Sequence, residues 1–150
     1  MIEWNEETII QTNIETVWSL FLDKNIKKIM PKVEEHKIVE KTETDVGAKH
    51  EQKYREGKRV ETYIVETLGY EHTPNKKLKQ ISFVIGKAFE VNLSFTLEKI
   101  DNHHTRFIYS GNNKGINFVG RAMMKLANKK GNQQVVHDFM ERVNQEAMKL

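Results

Sequence analysis

The sequence contains no cysteine, which excludes disulfides, thiolate metal sites and a cysteine nucleophile. It has only two prolines, Pro31 and Pro74, so most of the chain is free to run in long regular elements. No apolar run approaches the roughly 20 residues that cross a bilayer. The opening MIEWNEETII is acidic where a secretion signal needs a basic start and an apolar core. Charge of one sign is missing too. The 24 Lys and Arg are set against 21 Asp and Glu, for a net charge of +3, and the two signs alternate along most of the chain. So dilute an excess does not form the basic stripe that nucleic-acid binding requires. There is no glycine-rich phosphate loop, and none of the six histidines pairs with another at a helical i, i+4 spacing. These absences predict one cytoplasmic domain over residues 1–150, with no nucleic-acid partner, no metal and no cofactor.

What is present is a clear change of period. Residues 2–11 read as a strand, and Thr12-Asn13-Ile14-Glu15 matches a capping box ahead of the helical stripe Ile14, Val17, Trp18, Phe21, Leu22. A second short helix, Ile26 to Met30, stops at Pro31 because proline disfavours helical geometry in the residue before it. From Lys32 the period becomes two. Strands are predicted at 33–42, 48–56, 59–71, 77–85, 88–100 and 105–111, joined by the turns Glu56-Gly57-Lys58, Thr73-Pro74-Asn75, a two-residue type II′ Gly86-Lys87, and Asp101 to His104. The last 36 residues, Gly115 to Leu150, read as one long helix. Straight, it would be roughly 50 Å long, more than the width of a 150-residue domain, and its apolar stripe changes direction. Ile116, Val119, Met123 and Leu126 lie on one line and Val136, Phe139, Met140, Val143 and Ala147 on another, with Gly131 between them. A kink within a few residues of Gly131 is expected. The fold class is therefore α+β: a curved antiparallel sheet of about seven strands with two short helices after strand 1, its apolar face covered by the terminal helix.

With that order of elements, the chain resembles the START-like helix-grip superfamily and, within it, the bacterial polyketide cyclase-like branch. The residues that carry the resemblance are the opening strand, Thr12-Asn-Ile-Glu-Thr-Val-Trp-Ser-Leu-Phe-Leu-Asp23 with its Pro-terminated helix, Gly120-Arg-Ala-Met-Met, and the amphipathic segment Val136 to Met148. The resemblance implies a deep apolar cavity between sheet and helix, holding a lipid, sterol, polyketide or quinone-like ligand. It also admits a cyclase or dehydratase and a co-chaperone-like interaction module.

The residues themselves suggest where such a cavity would lie. The row His50, Gln52 and Tyr54 is more polar than a packed interior tolerates, because each unmet buried group costs about 1–3 kcal/mol. A hydrated or ligand-filled cavity removes that cost; polar groups bonded to one another at a sheet edge are the competing reading. On the next strand, the parity of Val60, Ile64 and Leu68 brings Thr62, Ile64 and Glu66 to the same face. The apolar wall is expected from Ile81, Phe83, Phe89, Val91, Leu93, Phe95, Phe107 and Tyr109, opposite Met123, Leu126, Val136, Met140 and Val143. A cyclase would need His50 beside Tyr54 or Glu66 as a general acid–base pair. No spacing holds those residues together, so no catalytic residue is assigned. Lys24, Lys27, Lys28 and Lys32, with Lys125, Lys129 and Lys130, would give the cavity a basic rim able to touch an anionic membrane transiently.

Overall fold

The computed structural model describes all 150 residues, Met1–Leu150. The elements in chain order are β1 (Ile2–Ile10), α1 (Ile14–Ser19), α2 (Ile26–Ile29), β2 (Val33–Glu40), β3 (Lys49–Glu56), β4 (Arg59–His72), β5 (Lys76–Ile85), β6 (Phe89–Asp101), β7 (His104–Gly115), α3 (Phe118–Lys125) and α4 (Lys129–Met148). The seven strands form one antiparallel sheet in the order β1-β7-β6-β5-β4-β3-β2. Five links between neighbouring strands and one long connection, from β1 through α1 and α2 to β2 at the opposite edge, account for the whole topology.

The cap of α1 lies one residue later than the capping-box reading. Asn13, in extended backbone, accepts a hydrogen bond from the Glu15 amide at 2.9 Å, while the Thr12 hydroxyl donates to Gln11 O. Asparagine caps as well as threonine or better, and the chain uses the nearer of the two.

Loop lengths set which residues share a face. The β3–β4 link is a two-residue turn, Gly57-Lys58, with Gly57 at φ +61 and Glu56 opposite Arg59. Even-numbered residues of β3 therefore stand against odd-numbered residues of β4: His50 faces Val65, Gln52 faces Tyr63 and Tyr54 faces Glu61. The expected inward face of Thr62, Ile64 and Glu66 requires an odd number of residues between the paired positions, and one residue of loop reverses every side chain of the strand. Thr62, Ile64 and Glu66 thus lie exposed on the outer face, and Glu61, Tyr63, Val65 and Thr67 point inward. The β5–β6 link departs the other way. It is three residues long, Gly86-Lys87-Ala88, with positive φ at Gly86 and Lys87, rather than a two-residue type II′ turn.

The C-terminal segment is two helices. β7 continues to Gly115, four residues beyond the expected strand end, and the helical chain breaks at Leu126 to Asn128. Asn128 opens α4 as its N-cap, its side chain accepting from the Lys130 amide at 2.9 Å. The break falls within a few residues of Gly131, as the shift of stripe required, but glycine is not its cause: a Cβ there would meet nothing nearer than 3.9 Å. The first stripe is also not a core stripe. Val119, Met123 and Leu126 are 59, 53 and 86% exposed, and Phe118 is 81% exposed.

α4 lies across the concave face and buries Val136, Phe139, Met140, Val143 and Ala147. With α1 and α2 it closes one end of the grip. There Ile10, Val17, Leu20, Phe21, Leu97 and Phe107 are almost wholly buried, with Phe21 5.2 Å from Phe95 and 5.8 Å from Phe107 between ring centroids. Phe107 and Met140 belong to this solid packing and not to a cavity wall.

Candidate functional site

Toward the other end, sheet and α4 diverge around a cavity of about 680 Å³. That volume lies within the range of small-molecule sites. The inward rows of β5 and β6 supply Ile81, Phe83, Val91, Leu93 and Phe95, β7 supplies Tyr109, and α4 supplies Val136 and Phe139. The exposed residues Glu56, Arg59, Gly86, Val135 and Asp138 mark its mouth. Of the residues expected from sequence, His50, Gln52, Tyr54, Ile81, Phe83, Val91, Leu93, Phe95 and Tyr109 line this space. Thr62, Ile64 and Glu66 are on the far side of the sheet, Met123 and Leu126 on the exposed face of α3, and Phe107 and Met140 in the core.

The polar groups gather at two places. On the β2–β3 wall, Gln52 Nε2 donates to the Tyr63 hydroxyl at 2.7 Å and Gln52 Oε1 lies 2.7 Å from His36 Nδ1. His36 Nε2 and His50 Nε2 in turn meet the two carboxylate oxygens of Asp23 at 3.2 and 2.8 Å. The two imidazoles are stacked, with centroids 4.6 Å apart. Hydrogen bonds from His36 and His50 hold the Asp23 carboxyl well below the usual carboxylate range. Burial pushes the Tyr63 phenol up to about 12 and also raises those of Tyr54 and Tyr109. Across the cavity, the indole Nε1 of Trp4 and Oδ1 of Asn113 are buried without any hydrogen-bond partner, although both residues line the cavity. An orphaned buried donor and acceptor of this kind each carry a desolvation cost.

Lys79 is the third polar feature. It lines the cavity, and burial lowers its ammonium pKa, partly offset by the charges of Asp23 and Asp45. Replacing it by methionine should stabilise the fold at pH 7 by about 1 kcal/mol, because an unpaired, desolvated cation is removed. The sign follows from linkage. The folded chain releases this proton more readily than the unfolded chain, so the wild type regains stability as pH rises toward the ordinary lysine value. The Lys79→Met gain should therefore fade in alkaline urea titrations, and a gain independent of pH would contradict this origin.

Sequence reasoning missed Asp23, His36, Tyr63, Lys79, Trp4 and Asn113. Tyr63 was recoverable from the parity of a two-residue turn. The other five converge from separate elements, and no local spacing signals them. The general acid–base pair of a cyclase is not assembled as expected: Glu66 points away, and the partner of His50 is Asp23.

Seven antiparallel strands gripping a C-terminal helix, with two short helices after β1 and a cavity between, make a recognisable architecture. No protein-family model and no curated protein matches the sequence. Solved structures do. The Zhui aromatase/cyclase from Streptomyces sp. R1128 superposes with a TM-score of 0.71 at 11% identity, covering 98% of this chain and 93% of the other. The fold is the helix grip. A conserved protein from Geobacillus kaustophilus matches with a TM-score of 0.66 at 16% identity over 99% and 96% of the two chains. Norcoclaurine synthase from Thalictrum flavum, in complex with dopamine and hydroxybenzaldehyde, matches at 0.63 and 10% identity over 98% and 86%. At these identities the helix-grip likeness extends to the fold alone. No helix of the domain is long and apolar enough to cross a membrane.

Proposed function

We propose that this helix-grip domain binds a small amphipathic molecule in the cavity between sheet and α4, and holds it without chemical change. The observation that carries this reading is the 680 Å³ cavity itself, apolar along β5 and β6 and polar where His50, Gln52 and Tyr63 line it. The polar wall of Gln52, Tyr63 and Lys79 suits a ligand with a polar group at one end. Lys79, half-buried without an ion pair, favours an acidic group. That the structure superposes on an aromatase/cyclase and on a synthase in complex with dopamine and hydroxybenzaldehyde supports a small-molecule role. The non-catalytic part of the reading rests on the cavity side of His50, where no second acid–base group bonds to it.

α3 gives the reading a delivery surface. Phe118, Val119, Met123 and Leu126 form an exposed apolar stripe, and Arg121, Lys125, Lys129 and Lys130 lie in the same 13 residues. An apolar face flanked by cations suits transient contact with an anionic membrane. The test is titration with a fluorescent fatty acid, free and loaded in anionic or neutral vesicles, beside urea unfolding. Leu93→Trp should abolish uptake by filling the cavity, at under about 1.5 kcal/mol, whereas the same enlargement in a solid core costs about 1–3 kcal/mol or more. Transfer should be faster from the anionic vesicles. A wild type that takes up no probe, with a large stability loss in Leu93→Trp, would overturn the carrier reading.

A further inference from the structure

We infer that Asp23, His36 and His50 form a binding site for one divalent transition-metal ion, of the zinc class, on the cavity wall. One carboxylate and two imidazole nitrogens come within 4.8 Å of one another, delivered by three separate elements: the link between α1 and α2, β2, and β3. Ions of this class hold nitrogen and oxygen ligands at about 2.0–2.2 Å, so neighbouring ligand atoms stand about 3–3.5 Å apart. The contacts of His36 Nε2 and His50 Nε2 with the Asp23 oxygens, 3.2 and 2.8 Å, are close to the edges of such a set. Imidazole and carboxylate ligands without thiolate suit zinc, cobalt or nickel in preference to softer ions.

The surroundings of His36 add an independent argument. A metal-bound histidine normally donates its other ring N–H to a fixed acceptor. Here His36 Nδ1 lies 2.7 Å from Gln52 Oε1, and Gln52 is itself oriented by donating to the Tyr63 hydroxyl. With the proton on Nδ1, Nε2 presents a bare lone pair to the Asp23 carboxylate, an arrangement that a cation between them stabilises. If the Gln52 amide is turned over, Nδ1 accepts, and Nε2–H donates to Asp23 instead. One amide rotation therefore serves both the ion-bound and the ion-free protein.

Both histidines line the cavity while Asp23 is exposed on the outside. Three protein ligands and an open side toward the cavity make the pattern of a site that takes water or a ligand oxygen as its fourth partner. The neighbouring Lys79 ammonium opposes the ion and limits its affinity.

The experiment uses the full chain after dialysis against chelator, titrated with Co²⁺ followed by visible absorption and with Zn²⁺ followed by calorimetry. One ion per chain and cobalt bands of a low-symmetry site are expected. Asp23→Asn and His36→Gln should each weaken binding by more than tenfold, Gln52→Leu by about 10- to 100-fold, and Lys79→Met should strengthen it. His104→Ala, at the first residue of β7 and remote from the cluster, should change nothing. Circular dichroism establishes that each variant is folded, and fatty-acid uptake that persists in Asp23→Asn separates this site from the carrier reading. A wild type with no cobalt bands and no heat of zinc binding would overturn the site. So would binding that survives Asp23→Asn, or that is lost in His104→Ala.

Discussion

Phe107→Ala should lower stability by about 3–5 kcal/mol, the usual loss for a fully buried phenylalanine. Phe107 is 0% exposed and packs among Phe21, Tyr109 and Phe139 at 5.8, 6.4 and 6.4 Å between ring centroids. Four large rings that meet between α1, β7 and α4 leave no room for collapse, so most of the deleted volume would remain as a void. Thermal melting should show a midpoint lower by about 10 °C. Because Phe107 lies behind the cavity and not in its wall, fatty-acid uptake should persist below the new midpoint. A loss under about 1.5 kcal/mol would mean that this end of the grip is also loosely packed, and the division into a solid end and a hollow end would fail.

Gly120→Ala should detach α3. A Cβ at this position would stand 2.1 Å from the Ala88 carbonyl oxygen and 3.1 Å from the Cα of Gly115. Both are backbone atoms, so no rotamer change can relieve the contact and the helix must lift from the β5–β6 loop. That loop is where α3 is fastened: Ile116 N donates to Ala88 O at 2.9 Å, and Asn117 Nδ2 donates to Lys87 O at 2.9 Å. Asn117 also caps the helix by accepting from Gly120 N at 2.8 Å. The expected cost is about 3 kcal/mol, at the upper end for overpacking. Hydrogen exchange should localise it, with amides 116–126 losing protection while those of β6 and β7 keep theirs. Gly86 of the same loop lines the cavity mouth, so ligand exchange should also quicken in this variant. Unchanged protection across 116–126 would show that the close approach is not what seats α3.

Much of this molecule was legible in its sequence. Alternation along 88–100, the proline after the second short helix and the redirected apolar stripe before Leu150 are local signals, and they determined the seven strands, the short helices and the broken C-terminal segment. Local signals suffice there because strand and helix periods are properties of a few consecutive residues. They also placed His50, Gln52, Tyr54 and the β5–β6 row on the inner face. Tertiary structure alone decided the rest. The pairing of Glu56 with Arg59 across a two-residue turn put Thr62, Ile64 and Glu66 outward and Tyr63 inward, since side chains on a strand alternate with a period of two. The stripe of α3 reads as core by its spacing, yet it lies exposed because the concave face of the sheet is already covered by α4. Above all, the Asp23–His36–His50 cluster joins residues 13 and 14 positions apart, on a loop and two strands. No periodicity links such positions; they meet because the chain between α1 and α2 folds over the β2–β3 wall, and only packing decides that.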